Sequence, residues 1–306
     1  MYCPWETAGN IFFERRMCMP FMQAQKVTFN GNDLTLNGLI SVRIDQKLSP
    51  NIFASSKTIN TAKAMYGRRN ITTGYDREPL QFDLTFSSLG TPFTQTLCET
   101  LYQIFDVPTY KKLTFGTATV GNLQIYFNAI PMVGKITEMY NFANDNGYFT
   151  IPFVCDAGHG WVDQTYHFDR VVGENSGVPW VMNNPSNVKD KDGFCRVYPY
   201  ITINLPEFDP QSPLTRYHIG FWLSTEQQED AFRLSDISQN QTLLIDNENK
   251  QMYSSAGDNL LASMDNIRFF YLEQGQNTVL HETRVGDQTI SSSYGITFDL
   301  ACPYMW

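Results

Sequence analysis

The stretch PLQFDLTF, residues 79–86, constrains this chain more than any other. Leu80, Phe82, Leu84 and Phe86 alternate with Gln81, Asp83 and Thr85, so an extended backbone puts the apolar side chains on one face and the polar ones on the other. A helix would scatter both sets around its circumference. The spacing therefore predicts a half-buried β-strand. The same reading applies to NLQIYFNAIPMV, NGYFTIPFVC, YPYITINL, RYHIGFWL, QTLLID, KQMYSS, IRFFYL and SYGITFDL, each set off by turn residues. In KVTFNGNDLTLNGLISVRI, Asn30 and Gly31 tolerate positive φ and predict a hairpin reversal. The aromatic share of 14% suits such a chain, because flat rings pack well on pleated surfaces.

One segment has a different period. In TPFTQTLCETLYQIF, residues 91–105, Phe93, Leu97, Leu101, Ile104 and Phe105 recur at helical spacing. Thr91 is placed to cap the helix and Pro92 to occupy its first turn, with the end expected before Pro108. The apolar stripe needs a sheet to cover. The chain is thus expected to be mainly β, with one packed α-helix in its first half and an all-β second half from Tyr198 onward, a β-sandwich or jelly roll. Between them, residues 156–193 are rich in Gly, Asn, Asp and Pro and read as a connecting strand and loops. FFYLEQGQNTV, residues 269–279, reads as a turn between two strands, with Gly275 supplying positive φ and Asn277 bonding its own backbone.

With 306 residues, the chain is long enough to bury about three quarters of its unfolded surface and to form two domains. Its net charge of -9 would repel a phosphate backbone, which argues against sequence-specific DNA binding. No run of eighteen apolar residues reads as a membrane span, and no signal peptide is evident at the N-terminus. Cys3, Cys18, Cys98, Cys155, Cys195 and Cys302 lie far apart without a C-x-x-C pair, so free, mostly buried thiols in a reducing cytoplasm are expected.

Chemistry has few places to sit. Cys155, Asp156, His159, Asp163, His167 and Asp169 are the one grouping of potential metal ligands, and their spacing fits no metal signature. Asp246 to Lys250 resembles a calcium loop, but the ligand order is broken and a hairpin turn accounts for it. With four histidines, no G-x-S-x-G and no phosphate-binding glycine loop, neither catalysis nor a cofactor or metal site is expected.

Read in order, the segments resemble the distal tail protein of long-tailed bacteriophages. VTFNGNDL resembles a strand and turn near the start of that family; REPLQFDLTF and TPFTQTLCETLYQIF resemble its next strand and packed helix. IPFVCDAGHGWVD resembles the strand and turn closing its first domain, although Ala157 and Gly158 stand where the family commonly has a Pro-aromatic pair. MNNPSN, YPYITINL, LLIDNENKQMY and FFYLEQGQNTV follow the order of its second domain.

The resemblance implies a tail-tube-like, ring-forming β-sandwich or barrel over residues 1–165 and a galectin-like β-sandwich over residues 166–306. It further implies a structural virion protein at the tail tip or baseplate, synthesised and assembled in the host cytoplasm. That protein forms a hexameric ring joining the tail tube to the tip and leaves a channel for DNA. The implied partners are further copies of the chain, the tail tube protein, the tail-tip hub protein and a receptor-binding or side-fibre protein, with no cofactor and no reaction.

Two alternatives stay open. One is a carbohydrate-binding or receptor-binding module using Trp180, Trp222 or Tyr253 as a stacking platform. The other is a tail-tube or tail-terminator subunit, which the second domain argues against. Finally, Thr61 to Pro79 holds Lys63, Arg68 and Arg69 beside Gly67 and Gly74, and is expected to be a mobile loop that docks on an acidic partner.

Overall fold

The structure, a computed structural model, describes residues 26–37, 39–46, 57–63, 70–87, 94–135, 137–141, 146–171, 179–190, 193–207, 216–266, 268–285 and 293–305. In chain order these form strands β1 (Val27–Phe29), β2 (Asn32–Asp33), β3 (Ile40–Gln46), β4 (Lys57–Lys63), β5 (Asn70–Arg77) and β6 (Gln81–Ser87), then helix α1 (Gln95–Phe105). Next come β7 (Lys111–Val120), β8 (Leu123–Pro131), β9 (Thr137–Asn141), β10 (Asn146–Cys155), β11 (Gly160–Val171) and β12 (Trp180–Asn184). The last are β13 (Tyr200–Leu205), β14 (Arg216–Leu223), β15 (Phe232–Ser238), β16 (Gln241–Asp246), β17 (Gln251–Ser254), β18 (Gly275–Val285) and β19 (Ser293–Tyr304). The fold is mainly β with one α-helix among the described residues, as the periodicity predicts. Two compact units divide it. One comprises the described residues of Met1–Lys47, Gln81–Ala118 and Ala129–Val154, and the other those of Leu48–Leu80, Thr119–Asn128 and Cys155–Trp306.

In the first unit, β3, β6, β10 and β9 are antiparallel neighbours, while β1 pairs with β2 and β7. Asn30 and Gly31 take φ of 50° and 76°, and the expected hairpin reverses there. Leu84 and Phe86 are buried as the alternation requires, but Asp83 is buried as well, so the second face of β6 is covered rather than wet.

Helix α1 begins later than the sequence suggests. Its cap is Thr94, not Thr91: the Thr94 hydroxyl accepts a 3.2 Å hydrogen bond from the Leu97 N–H, and its extended backbone hands over to helix at Gln95. Either threonine of TPFT has the chemistry to cap, and spacing alone does not choose between them. Thr91, Pro92 and Phe93 lie outside the described residues. The helix stops at Phe105, before Pro108. Leu101 and Phe105 are buried, whereas Leu97, expected in the buried stripe, is only half-buried because it sits in the first turn. Phe105 enters a cluster of four phenylalanines, with ring centroids 6.0 Å from Phe29 and Phe153, 6.3 Å from Phe86 and 6.4 Å from Phe149. That cluster is the reason the helix has a fixed seat.

The second unit contains a sandwich. One sheet runs β17-β16-β13-β19-β11 and the other β12-β18-β14-β15. Phe298 of β19 reaches the opposite sheet, 5.8 Å from both Phe221 and Trp180, and Phe168 stacks on Trp180 at 4.7 Å. β14, flanked by β15 and β18, is buried from Ile219 to Leu223. At its centre, a Cβ on Gly220 would sit 3.1 Å from Glu282 Cγ, so the glycine leaves room for the 3.1 Å pair between Glu282 and Arg233.

Two expectations are refined here. The connecting strand expected within residues 156–193 is long and fully paired: β11 pairs with β19 at all twelve of its positions, from Gly160↔Tyr304 to Val171↔Ser293. Its outward residues Asp163, Thr165, His167 and Asp169 are polar, which made the strand look like linker. IRFFYL is not a strand. Leu272 makes one isolated bridge with Val197, and the Phe270 N–H is taken up by the side chain of buried Asn247 at 2.9 Å.

The turn at Gly275 stands, with φ 86° and with Asn277 bonding the Glu273 and Gly275 carbonyls, but irregular chain precedes it. The Asp246 to Lys250 segment is the β16–β17 hairpin turn, its Asn249 N–H donating to Asp246 Oδ1 at 2.9 Å.

Candidate assembly surface

The β4–β5 hairpin of the second unit forms a sheet of its own, with the described side chains of β4 exposed. Ile71, Thr72, Thr73 and Tyr75 are strand formers, and Gly74 is accommodated beside a register shift between Asn60 and Thr61. The stretch from Thr61 to Pro79 is therefore mostly paired strand rather than the expected loop. Side chains 58–62 are all exposed, and Ile59 keeps 63% of its surface open. A ribbon of two strands is marginal by itself in water, so an arm of this kind gains from being covered. It is also basic: residues 57–77 carry Lys57, Lys63, Arg68, Arg69 and Arg77 against the single acid Asp76, in a chain of net charge -9. Lys63 ends β4 opposite Asn70, while Arg68 and Arg69 lie outside the described residues.

The foot of this arm is fastened by backbone. Leu80 donates to the Ala157 carbonyl at 3.0 Å and Cys155 donates to the Leu80 carbonyl at 2.8 Å. The Tyr75 hydroxyl adds a 3.3 Å bond to the Lys189 carbonyl. The His159 ring lies against Trp161, tilted at 60° with centroids 4.7 Å apart, and neither its ring nitrogens nor Trp161 Nε1 has a hydrogen-bond partner among the described residues. Burial pushes the imidazole down to about 4; Asp156 opposes this and the Arg77 charge adds to it.

The other sequence candidates are separately engaged. Asp163 accepts from the Tyr126 hydroxyl at 2.6 Å, Asp156 from Asn128 at 2.9 Å, and His167 lies 3.0 Å from the Thr297 hydroxyl and 3.4 Å from Asp169. Cys155 is buried, and that burial raises its thiol pKa. Among the described residues no three His, Cys, Asp or Glu side chains converge on a metal-sized space. Of the four described cysteines, all free, Cys155 and Cys302 are buried and Cys98 is exposed. Trp180 and Trp222 are buried in the sandwich and offer no face for a sugar; Tyr253 alone of that trio is exposed.

The first unit has surfaces of its own, at strands β3 and β9. Among the described residues each is hydrogen-bonded to a strand on one side only, β3 to β6 and β9 to β10, leaving two free edges in the first unit. Sequence reading missed β4 and exposed Ile59. The available signal was the alternating KTINTAK, too polar to register as a half-buried strand.

Residues 22–157 match the model of a family described as phage tail protein N-terminal domain. Among solved structures the chain is similar to the Dit protein of phage SPP1, described as a paradigm of the hub adsorption apparatus in phages infecting Gram-positive hosts. The TM-score is 0.57 at 11% identity, covering 90% of this chain and 97% of that one. The phage P2 baseplate in its activated conformation with Ca gives a TM-score of 0.43 at 12% identity, covering 90% of this chain and 96% of that chain. No curated protein sequence matches. The phage-tail resemblance read from the sequence is met by the family match in the first half and by a shared fold along the chain.

Proposed function

We propose that this chain is a distal tail protein, a structural component of a phage tail tip. In this reading residues 1–165 form a hexameric ring that joins the tail tube to the tip and leaves a channel for DNA. Residues 166–306 form a sandwich that receives other tail-tip proteins. The observation that carries the reading is the likeness to the SPP1 hub protein over 90% of this chain and 97% of that one.

The surfaces supply a physical route to a ring. A closed ring uses two unlike patches, one of which fits the other on the next copy. The arm is basic and one-third apolar, the rest of the chain is strongly acidic, and β3 and β9 offer free edges for strand pairing among the described residues. The burial of Trp180 and Trp222 weighs against a carbohydrate platform built on them. The reading involves no reaction, no cofactor and no sequence-specific contact with nucleic acid.

Mass photometry of the full-length protein at micromolar concentration is expected to show a species at six times the 35.0 kDa chain, or a stacked pair of such rings. Only single chains, even with tube and tip proteins added, would overturn it. Long cylinders in electron micrographs would assign the chain to the tube instead.

A further inference from the structure

Among the described residues Arg196 is a cation without a counter-charge. Its guanidinium carbon lies 4.2 Å from the ring centroid of Phe194 and 4.6 Å from that of Tyr271, and Tyr198 sits 6.2 Å from Tyr271. Phe194 and Tyr198 are 50% and 36% exposed, while Val197 between them is buried and bridged to Leu272. The side chains at 194, 196 and 198 thus share a face, as residues two apart do in extended chain.

No acceptor among the described residues bonds the guanidinium, and its Nε is buried without a partner. The nearby described carboxylates have other partners. Glu226 takes Arg268 and, at 2.9 Å, the Tyr271 hydroxyl; Asp230 takes Arg268 at 3.1 Å; Asp190 Oδ1 accepts from the Phe194 N–H at 2.9 Å. A guanidinium that packs against rings keeps its N–H groups in its own plane, where they match a carboxylate in a bidentate fork.

We propose that Phe194, Arg196, Tyr198 and Tyr271 form an anchoring site for an acidic side chain of a partner protein. The carboxylate takes the guanidinium edge and an apolar neighbour covers Phe194. Aromatic residues and arginine in one partly exposed cluster are the composition that dominates protein–protein binding energy. The unneutralised charge selects a partner segment of opposite sign. The site lies on the second unit and does not depend on the ring reading.

Fluorescence anisotropy with full-length protein tests it, using a labelled hexapeptide with a central Glu-Phe pair and its Gln-Phe counterpart. The Glu peptide is expected to bind about tenfold more tightly, the size of a charge-assisted bond. Arg196→Gln should erase that preference, Arg196→Lys should keep part of it, and Phe194→Ala should weaken both peptides. Arg284→Gln, an exposed arginine paired with Glu282, should change nothing. Equal affinity for the two peptides, no binding of either, or a preference that survives Arg196→Gln overturns the proposal. Displacement by glucuronate or glycerol phosphate as readily as by unlabelled Glu peptide assigns the site to a polymer anion and also overturns it. Should Arg196→Gln fail to fold, Arg196→Lys and Phe194→Ala decide the matter.

Discussion

At position 160 the second unit has no space for a methyl group. A Cβ there would lie 2.7 Å from Ile125 Cγ2 and 3.0 Å from Phe127 Cε1, both on β8. Gly160→Ala is expected to cost about 1–3 kcal/mol by overpacking, read as a lowered denaturation midpoint of the full chain. A midpoint unchanged within error would show that β8 yields.

One residue away, His159 couples the same corner to pH. Its imidazole titrates near 4 when folded against about 6.5 when unfolded, so below 6.5 the unfolded chain binds a proton that the native state refuses. The stability it contributes is whole above pH 6.5 and drains away down to about pH 4, by up to about 3 kcal/mol. Denaturant titrations at pH 7 and 4.5 on wild type and His159→Gln measure this: the variant should lose less. Equal losses would mean the ring reaches solvent. Neither feature was legible in the sequence, since the partners of Gly160 stand more than thirty positions upstream and the burial of His159 is a tertiary fact. Asn30, Gly31, Gly275 and Asn277 were legible because their turns are closed by neighbours.

Among elements, α1 ties sequence to packing most directly. Leu101→Ala removes a buried side chain beside the phenylalanine cluster and is expected to cost about 2–5 kcal/mol, while Glu99→Ala on the exposed side should stay within about 0.5 kcal/mol of neutral. Chemical denaturation of both variants separates the two, and equal costs would remove the amphipathic seat. The helix was readable because its stripe is apolar at strict spacing, as was β6, where Leu84 and Phe86 alternate with shorter polar residues. β11 and β4 were not, for a shared reason. Their outward faces are polar or wholly exposed, so what holds them is pairing with β19 and β5, and hydrogen bonds between backbones leave no mark on side-chain pattern. IRFFYL failed in the opposite sense: its rings are apolar enough for a strand, yet the Asn247 side chain takes the hydrogen bond a neighbouring strand would have made.

At the scale of the whole molecule, the decisive property is the uneven spread of charge. The arm from Lys57 to Arg77 has five basic residues and one acid, a net of +4, so the remaining residues together carry -13 of the total -9. If the arm of one copy lies on the body of the next, ring closure is partly electrostatic, and exposed charges are screened over about 10 Å at 0.1 M salt but about 3 Å at 1 M. The share of full-length protein in rings should therefore fall as salt rises from 0.05 to 1 M, approximate working limits at fixed protein concentration. Arg68→Glu with Arg69→Glu should leave the thermal melt of the single chain intact and reduce rings even at low salt. Ile59→Thr should weaken rings equally at every salt concentration, since apolar burial is not screened. Mass photometry across the salt series reads all three proteins. Rings that withstand 1 M salt and the double charge reversal, but not Ile59→Thr, would mean that apolar contact and strand edges hold the assembly and that the basic arm only steers encounter.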